Sequence, residues 1–282
     1  MATASYPEDG RRSYGELAGL RLLDDLETAG LDPFTVADAK AQGKTLGLGA
    51  SHTTSLLHRL SAGGRLTRLK KGVYAINDPL TRLPRAHPFA IGTALVTPSA
   101  ISHWSAFQHW GLTDQIPDAV TLSSPTRTFP PSLESHDEGR RRAWVVASTR
   151  YEVTAITRER FFGVGDVWMN ERDRVAVFDR ERSLLDAFQH FHIFGSLSVG
   201  LEALEEHLGE LDLDRLARYA LQLGVTAVVK RLGWALERHD APNAVLAPLR
   251  SYPARGDAPL DPGRPSRGRH NSTWQVIENL GG

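Results

Sequence analysis

An α+β fold in two parts is predicted for this chain of 282 residues, and three observations predict it. Strand-like segments in the middle of the chain are flanked on both sides by segments with helical apolar spacing. Basic residues are concentrated in one segment near the N-terminus, although the whole chain balances 33 Lys+Arg against 33 Asp+Glu. A basic, proline-bearing stretch, Thr81–His87, separates that segment from the rest of the chain. The expected organisation is a flexible tail over residues 1–12, a small N-terminal domain over 13–80 and a mixed α+β domain over 88–282. With 41% hydrophobic residues, both parts have material for a core.

Met1–Arg12 is polar and lacks the apolar stretch of a signal peptide. Ser13–Ala29 reads as a helix because Leu17, Leu20, Leu23 and Leu26 recur at helical spacing, with Gly30 as its stop. Asp32 and Pro33 suit the N-cap and first position of a second helix, Phe34 to about Gln42. Gly43–Gly49 is a glycine-rich turn.

The stretch 49–76 is the most informative. Thr53, Leu56, Leu57 and Leu60 fall at i, i+3, i+4 and i+7, a stripe to be buried. The opposite side carries Ser51, Ser55 and His58, flanked by Thr54 and Arg59. Ser51 also suits an N-cap, and Gly63-Gly64 a stop. Two short strands come next, Arg65–Leu69 and Val73–Ile76, joined through Lys70-Lys71-Gly72, where Gly72 supplies the positive φ of a tight turn. From Lys40 to Arg85 there are nine bases and one acid, Asp78, an excess of eight positive charges on a neutral chain. Three helices and a cationic hairpin in about 65 residues describe a winged helix-turn-helix, in which the helix enters the major groove and the wing rides on phosphate. The candidate DNA-binding residues are therefore Ser51, Thr54, Ser55, His58, Arg59, Arg65, Arg68, Lys70 and Lys71. Arg59 is the best base reader, since a guanidinium pairs bidentately with guanine. The competing reading is a solvated basic face, with Ser51 a cap and Tyr74 either core or phosphate contact.

In the second part, Phe89–Leu95 and Ser99–Trp110 read as helices. Ala119–Leu122, Ala143–Ala147, Tyr151–Ile156, Asp166–Met169 and Val175–Phe178 read as strands, with a polar loop over Pro125–Gly139. Helices return after Asp179, with Leu184, Leu185 and Phe188 on one face, and again over Leu197–Leu208, Asp212–Leu223 and Thr226–Arg238. Tyr252–Asn271 looks irregular, and Thr273–Ile277 looks like a closing strand. The arginines of the C-terminal stretch have three open readings: DNA-facing surface, partner contact or solvated face.

Several chemistries are disfavoured. The absence of cysteine excludes disulfides and thiolate chemistry or ligation. Gly163-Val164-Gly165 lacks the frame of a phosphate loop, and no GxSxG is present. Asp179 suits a helix cap, and Arg182 and Asp186 an i, i+4 ion pair. His103, His109, His190 and His192 form no HExxH frame, and surface or core roles outweigh a metal centre built from His190, His192 and Asp186. No catalytic, cofactor-binding or metal residue is assigned. No apolar run approaches the length of a membrane span.

Five stretches taken together are similar to one known family. SLLHRLSAGGRLTRLKKGVYAI, ISHWSAFQHWGLTDQIP, VAVFDRERSLLDAF, RYALQLGVTAVVKRLGWALE and NSTWQVIEN resemble, in order, successive signatures of AbiEi-type antitoxins. That family belongs to AbiE toxin–antitoxin and phage abortive-infection operons. The resemblance implies an N-terminal winged helix that represses the operon's own promoter at inverted repeats in double-stranded DNA. It implies a C-terminal domain that counteracts a nucleotidyltransferase-like toxin without requiring a stable complex with it. A cytoplasmic, non-enzymatic antitoxin and repressor in phage defence is thus the expectation. The alternative is a stand-alone winged-helix regulator whose second domain senses a ligand or partner.

Overall fold

The computed structural model describes residues 8–127 and 143–280, and side chains from Leu17 onward. The chain is a mixed α+β fold. It divides into two compact units: Met1–Thr97 with Val145–Thr149 and Val167–Val175, and Pro98–Trp144 with Arg150–Asp166 and Ala176–Gly282.

The first unit opens with α1 (Glu8–Thr28), so Glu8 to Arg12 are its first turns rather than tail. Leu22, Leu23 and Leu26 are buried, whereas Leu17 and Leu20 are exposed. Next come β1 (Phe34–Thr35), α2 (Val36–Thr45), α3 (Ala50–Ala62), β2 (Leu66–Lys70), β3 (Val73–Ile76) and α4 (Pro88–Leu95). The three strands form an antiparallel sheet in the order β1-β3-β2.

The start of α2 corrects the sequence reading. Its cap is Thr35, whose side chain accepts from Asp38 N–H while the Asp38 carboxylate accepts from Thr35 N–H at 2.7 Å. This reciprocal capping box satisfies two orphan donors at once. Asp32 instead accepts the Ile76 N–H at 2.9 Å, at the end of β3. Gly43 lies where α2 meets α3: a Cβ there would stand 2.6 Å from Thr53 Oγ1.

The second unit contains β4 (Ala100–Ile101), α5 (His103–His109), β5 (Ala119–Ser124), parts of β6 (Ala143–Val146), most of β7 (Thr149–Ala155), and parts of β8 (Val164–Trp168) and β9 (Arg174–Phe178). The sheet order is β6-β7-β5-β4-β9-β8, with β4 antiparallel to β5, and β5–β7 and β4–β9 parallel. The helix expected over Ser99–Trp110 is thus a strand and a shorter helix, because Ala100 and Ile101 pair with β5 and Ile101 also pairs with β9. Residues 128–142, most of the expected polar loop, lie outside the described residues.

Helices α6 (Arg180–Gln189), α7 (Phe191–Phe194), α8 (Ser198–His207), α9 (Leu213–Leu223), α10 (Thr226–Arg238) and α11 (Asn243–Ser251) complete the core. The last has no counterpart in the sequence reading, which left residues 239–251 unassigned. Pro248 sits inside α11, which buries Val245, Leu246 and Leu249. The stretch read as irregular supplies β10 (Ala258–Pro259) and β11 (Arg269–Asn271), both paired with β12 (Val276–Glu278).

Trp274, fully buried, lies against α10 at Gly233, and its Nε1 donates to Glu237 Oε2 at 2.6 Å. A Cβ on Gly233 would overlap the indole ring. Gly233→Ala is therefore expected to destabilise the protein by about 1–3 kcal/mol or more, read as a lowered denaturation midpoint.

Candidate nucleic-acid interface

The expected stripe on α3 is buried: Thr53, Leu56, Leu57 and Leu60 pack inward, the leucines joining the core of the first unit with Leu22, Leu26, Phe34 and Tyr74. Burying that stripe turns Ser51, Ser55, His58 and Arg59 to solvent, with Thr54 half-buried. Thr54 Oγ1 donates to the Ala50 carbonyl at 3.0 Å. Ser51 is not the cap. Gly49 occupies that position, its carbonyl accepting from Thr53 N–H, so Ser51 stands at the second helical position and exposed.

The end of α3 is closed firmly. Gly64 takes a φ of +70°, and Arg65 N–H reaches back to the Leu60 carbonyl at 2.8 Å, a bond that satisfies a terminal carbonyl. Arg82 adds a further closure by donating to the Gly63 carbonyl at 2.6 Å. The exit angle from α3 into β2 is set by these bonds.

The hairpin turns through Gly72 at φ +78°. A register shift between Arg68 and Lys70 changes which side chains enter the core. Leu66 and Leu69, three apart, are both buried, and Arg68 between them is exposed. A bulge re-aims side chains in this manner. Tyr74 is core, 5% exposed and stacked on Phe34 at 6.0 Å between centroids.

The four wing cations have different surroundings. Arg68 and Lys71 are exposed and Arg65 is half-buried. Lys70 is different: its Nζ donates to the Leu95 carbonyl at 2.9 Å, and burial pushes its ammonium below the ordinary lysine value. No acidic residue lies on α3 or on the two hairpin strands. These elements therefore present exposed cations and small polar side chains with no acid among them.

Elsewhere in this unit lies a polar cluster that the sequence did not foreshadow. Asp32 faces Glu27, Asp173 and Arg85. Burial, with the two acids adding to it, outweighs the Ile76 N–H and Arg85 and raises its carboxyl to about 7. Arg85 and Arg172 both donate to Glu27, at 3.0 and 2.6 Å.

In the second unit, Asp179 caps α6 by accepting from Arg182 N–H, as expected, and also accepts the Tyr219 hydroxyl at 2.9 Å. Of the four histidines weighed for metal binding, His192 is exposed, while His103 and His190 come together with Asp186. Sequence reading does not pair His103 with Asp186 because 83 residues separate them.

The chain is an α+β protein whose first unit carries exposed cations on α3 and the β2–β3 hairpin. No family model matches the chain, and no curated protein does. Among solved structures, the chain is similar to the RV2827C protein from Mycobacterium tuberculosis, with a TM-score of 0.61 at 16% identity, covering 94% of this chain and 92% of that one. At that identity the likeness is one of fold.

Proposed function

We propose that the first unit is a winged helix-turn-helix that binds double-stranded DNA, with α3 as its reading helix and the β2–β3 hairpin as its wing. The observation that carries the reading is the exposure of Ser51, Ser55, His58 and Arg59 on α3, whose reverse side is core, and of Arg68 and Lys71 on the hairpin, with no acid within α3 or the two hairpin strands. A helix free of acids can approach phosphate without repulsion, and its short side chains leave room for base edges. Arg68 and Lys71 serve as phosphate contacts and Arg59 as a base reader. Together with the resemblance to AbiEi-type antitoxins, this supports a cytoplasmic autorepressor of its own operon that counteracts a nucleotidyltransferase-like toxin.

The test is binding of the full chain to its own upstream DNA, measured by anisotropy across salt. With about six phosphate contacts, affinity is expected to fall about a thousandfold from 50 to 200 mM salt. Arg68→Ala with Lys71→Ala is expected to shallow the log–log slope by about 2. Lys70→Ala is expected to leave the slope unchanged, because its ammonium is held by the Leu95 carbonyl. A slope that ignores Arg68 and Lys71 refutes the wing assignment. Co-expression with a nucleotidyltransferase-like toxin encoded beside it tests the antitoxin role, and the lack of such a gene or unrelieved toxicity leaves the stand-alone regulator.

A further inference from the structure

We propose that His103, Asp186 and His190 form a binding site for one divalent transition-metal ion, with zinc the best match. Two imidazole nitrogens and one carboxylate oxygen lie within 4.8 Å of one another. A tetrahedral ion with bonds of about 2.0–2.2 Å holds its ligand atoms about 3.3–3.6 Å apart, so the three side chains would close in by about 1 Å on binding. His103 and Asp186 are each 1% exposed and His190 is half-buried. An all-protein N2O donor set suits zinc, whereas calcium and magnesium take oxygen-rich shells.

Asp186 lies on α6, His190 follows its last residue, and His103 lies on α5. Asp186 and His190 are one helical turn apart at the end of α6, and the His190 N–H donates to the Asp186 carbonyl at 2.7 Å. His103 begins α5, and its ring lies 5.1 Å from that of His190 between centroids. His103 holds a φ of +49°, a conformation costly for a side chain with Cβ. Such strain is kept where the surroundings require a side chain at one particular place.

The outer contacts are those that orient metal ligands. Ser102 Oγ lies 2.7 Å from His103 Nδ1, and Ser123 Oγ donates to the same Ser102 oxygen at 2.9 Å. The Ser102–His103 contact fixes the orientation of the imidazole, as outer-shell partners of metal ligands do. On Asp186, Arg182 bonds Oδ1, while Oδ2 accepts a long contact of 3.4 Å from the His103 N–H. One carboxylate oxygen is thus oriented by Arg182, and the other lies on the His103 side, where an ion would sit. The ion would tie α5 to α6.

The experiment uses the full chain after chelator treatment, titrated with ZnCl2 calorimetrically and with CoCl2 in the visible range. One equivalent of zinc is expected, with an intense four-coordinate cobalt spectrum and a higher thermal midpoint in zinc. His103→Ala and His190→Ala are each expected to lose that equivalent, whereas His270→Ala, at the exposed pair with Asp257, retains it. Ser102→Ala is expected to weaken zinc by about 10- to 100-fold, since it removes only the orienting contact. Should either ligand variant fail to fold, the wild-type cobalt spectrum decides alone. No bound equivalent, a pale six-coordinate spectrum, or binding unchanged in both folded histidine variants overturns the site.

Discussion

Arg182→Met, measured with chelator present, is expected to destabilise the second unit by about 3–5 kcal/mol. Arg182 and Asp186 are each 1% exposed and bonded to one another across one turn of α6. The guanidinium also lies over the faces of Phe178 and Phe162, at 4.6 and 5.2 Å from their centroids. Burial works to raise the Asp186 carboxyl, but Arg182, His103 and His190 outweigh it and hold it below the ordinary aspartate value. Methionine keeps most of the volume and removes the charge, so Asp186 is left buried with its main compensation gone. Replacing both partners, Arg182→Met with Asp186→Leu, is expected to recover most of the loss, because the cost lies in the orphaned charge and not in the pair. Chemical denaturation of the two single variants and the double variant yields the coupling. A single variant as stable as the parent would show that the carboxylate is solvated.

Asp32→Asn is expected to stabilise the first unit at pH 8 by about 2–4 kcal/mol and to flatten its pH dependence. Burial, with Glu27 and Asp173 adding to it, raises the Asp32 carboxyl from 3.8 to about 7. In the unfolded chain it titrates near 3.8, so between these values the native state holds a proton that the unfolded state has released. Stability from this group is fully present below about pH 4, declines as pH rises and is lost above about 7. Asparagine keeps an oxygen for the Ile76 N–H and removes the buried charge. The readout is the denaturation midpoint from pH 5 to 8: falling for the parent, level for the variant. Parallel curves would show that Asp32 ionises freely in the folded protein.

Much of the first unit was legible from residue order. The stripe Thr53, Leu56, Leu57 and Leu60 has one apolar period, and a helix with one such stripe has only one way to face a core. Once that stripe is buried, the exposure of Ser55, His58 and Arg59 is settled by the helix alone. Gly64 and Gly72 marked their turns for an equally local reason, since both adopt the left-handed φ that other residues resist. Local rules failed where a neighbour in space supplied the partner. Asp32 had the look of a cap, yet its carboxylate is used by Ile76, 44 residues away. Lys70 had the look of a wing-tip cation, yet a bulge and the Leu95 carbonyl claim it.

Helix α6 marks the same boundary in the second unit. Its sequence shows one apolar face, Leu184, Leu185 and Phe188, and an i, i+4 pair of Arg182 and Asp186. In the fold, every residue from Glu181 to Phe188 is buried. The polar side chains are tolerated because distant groups meet them: Arg215 for Glu181, and the His103 N–H for the second oxygen of Asp186. Sequence by itself determined the local elements of the cationic helix and hairpin, since spacing and turn chemistry act within a few residues. Only tertiary structure decided which charges face solvent and which are spent internally, and which histidine joins Asp186. Those outcomes depend on contacts between residues tens of positions apart, for which no short-range pattern exists.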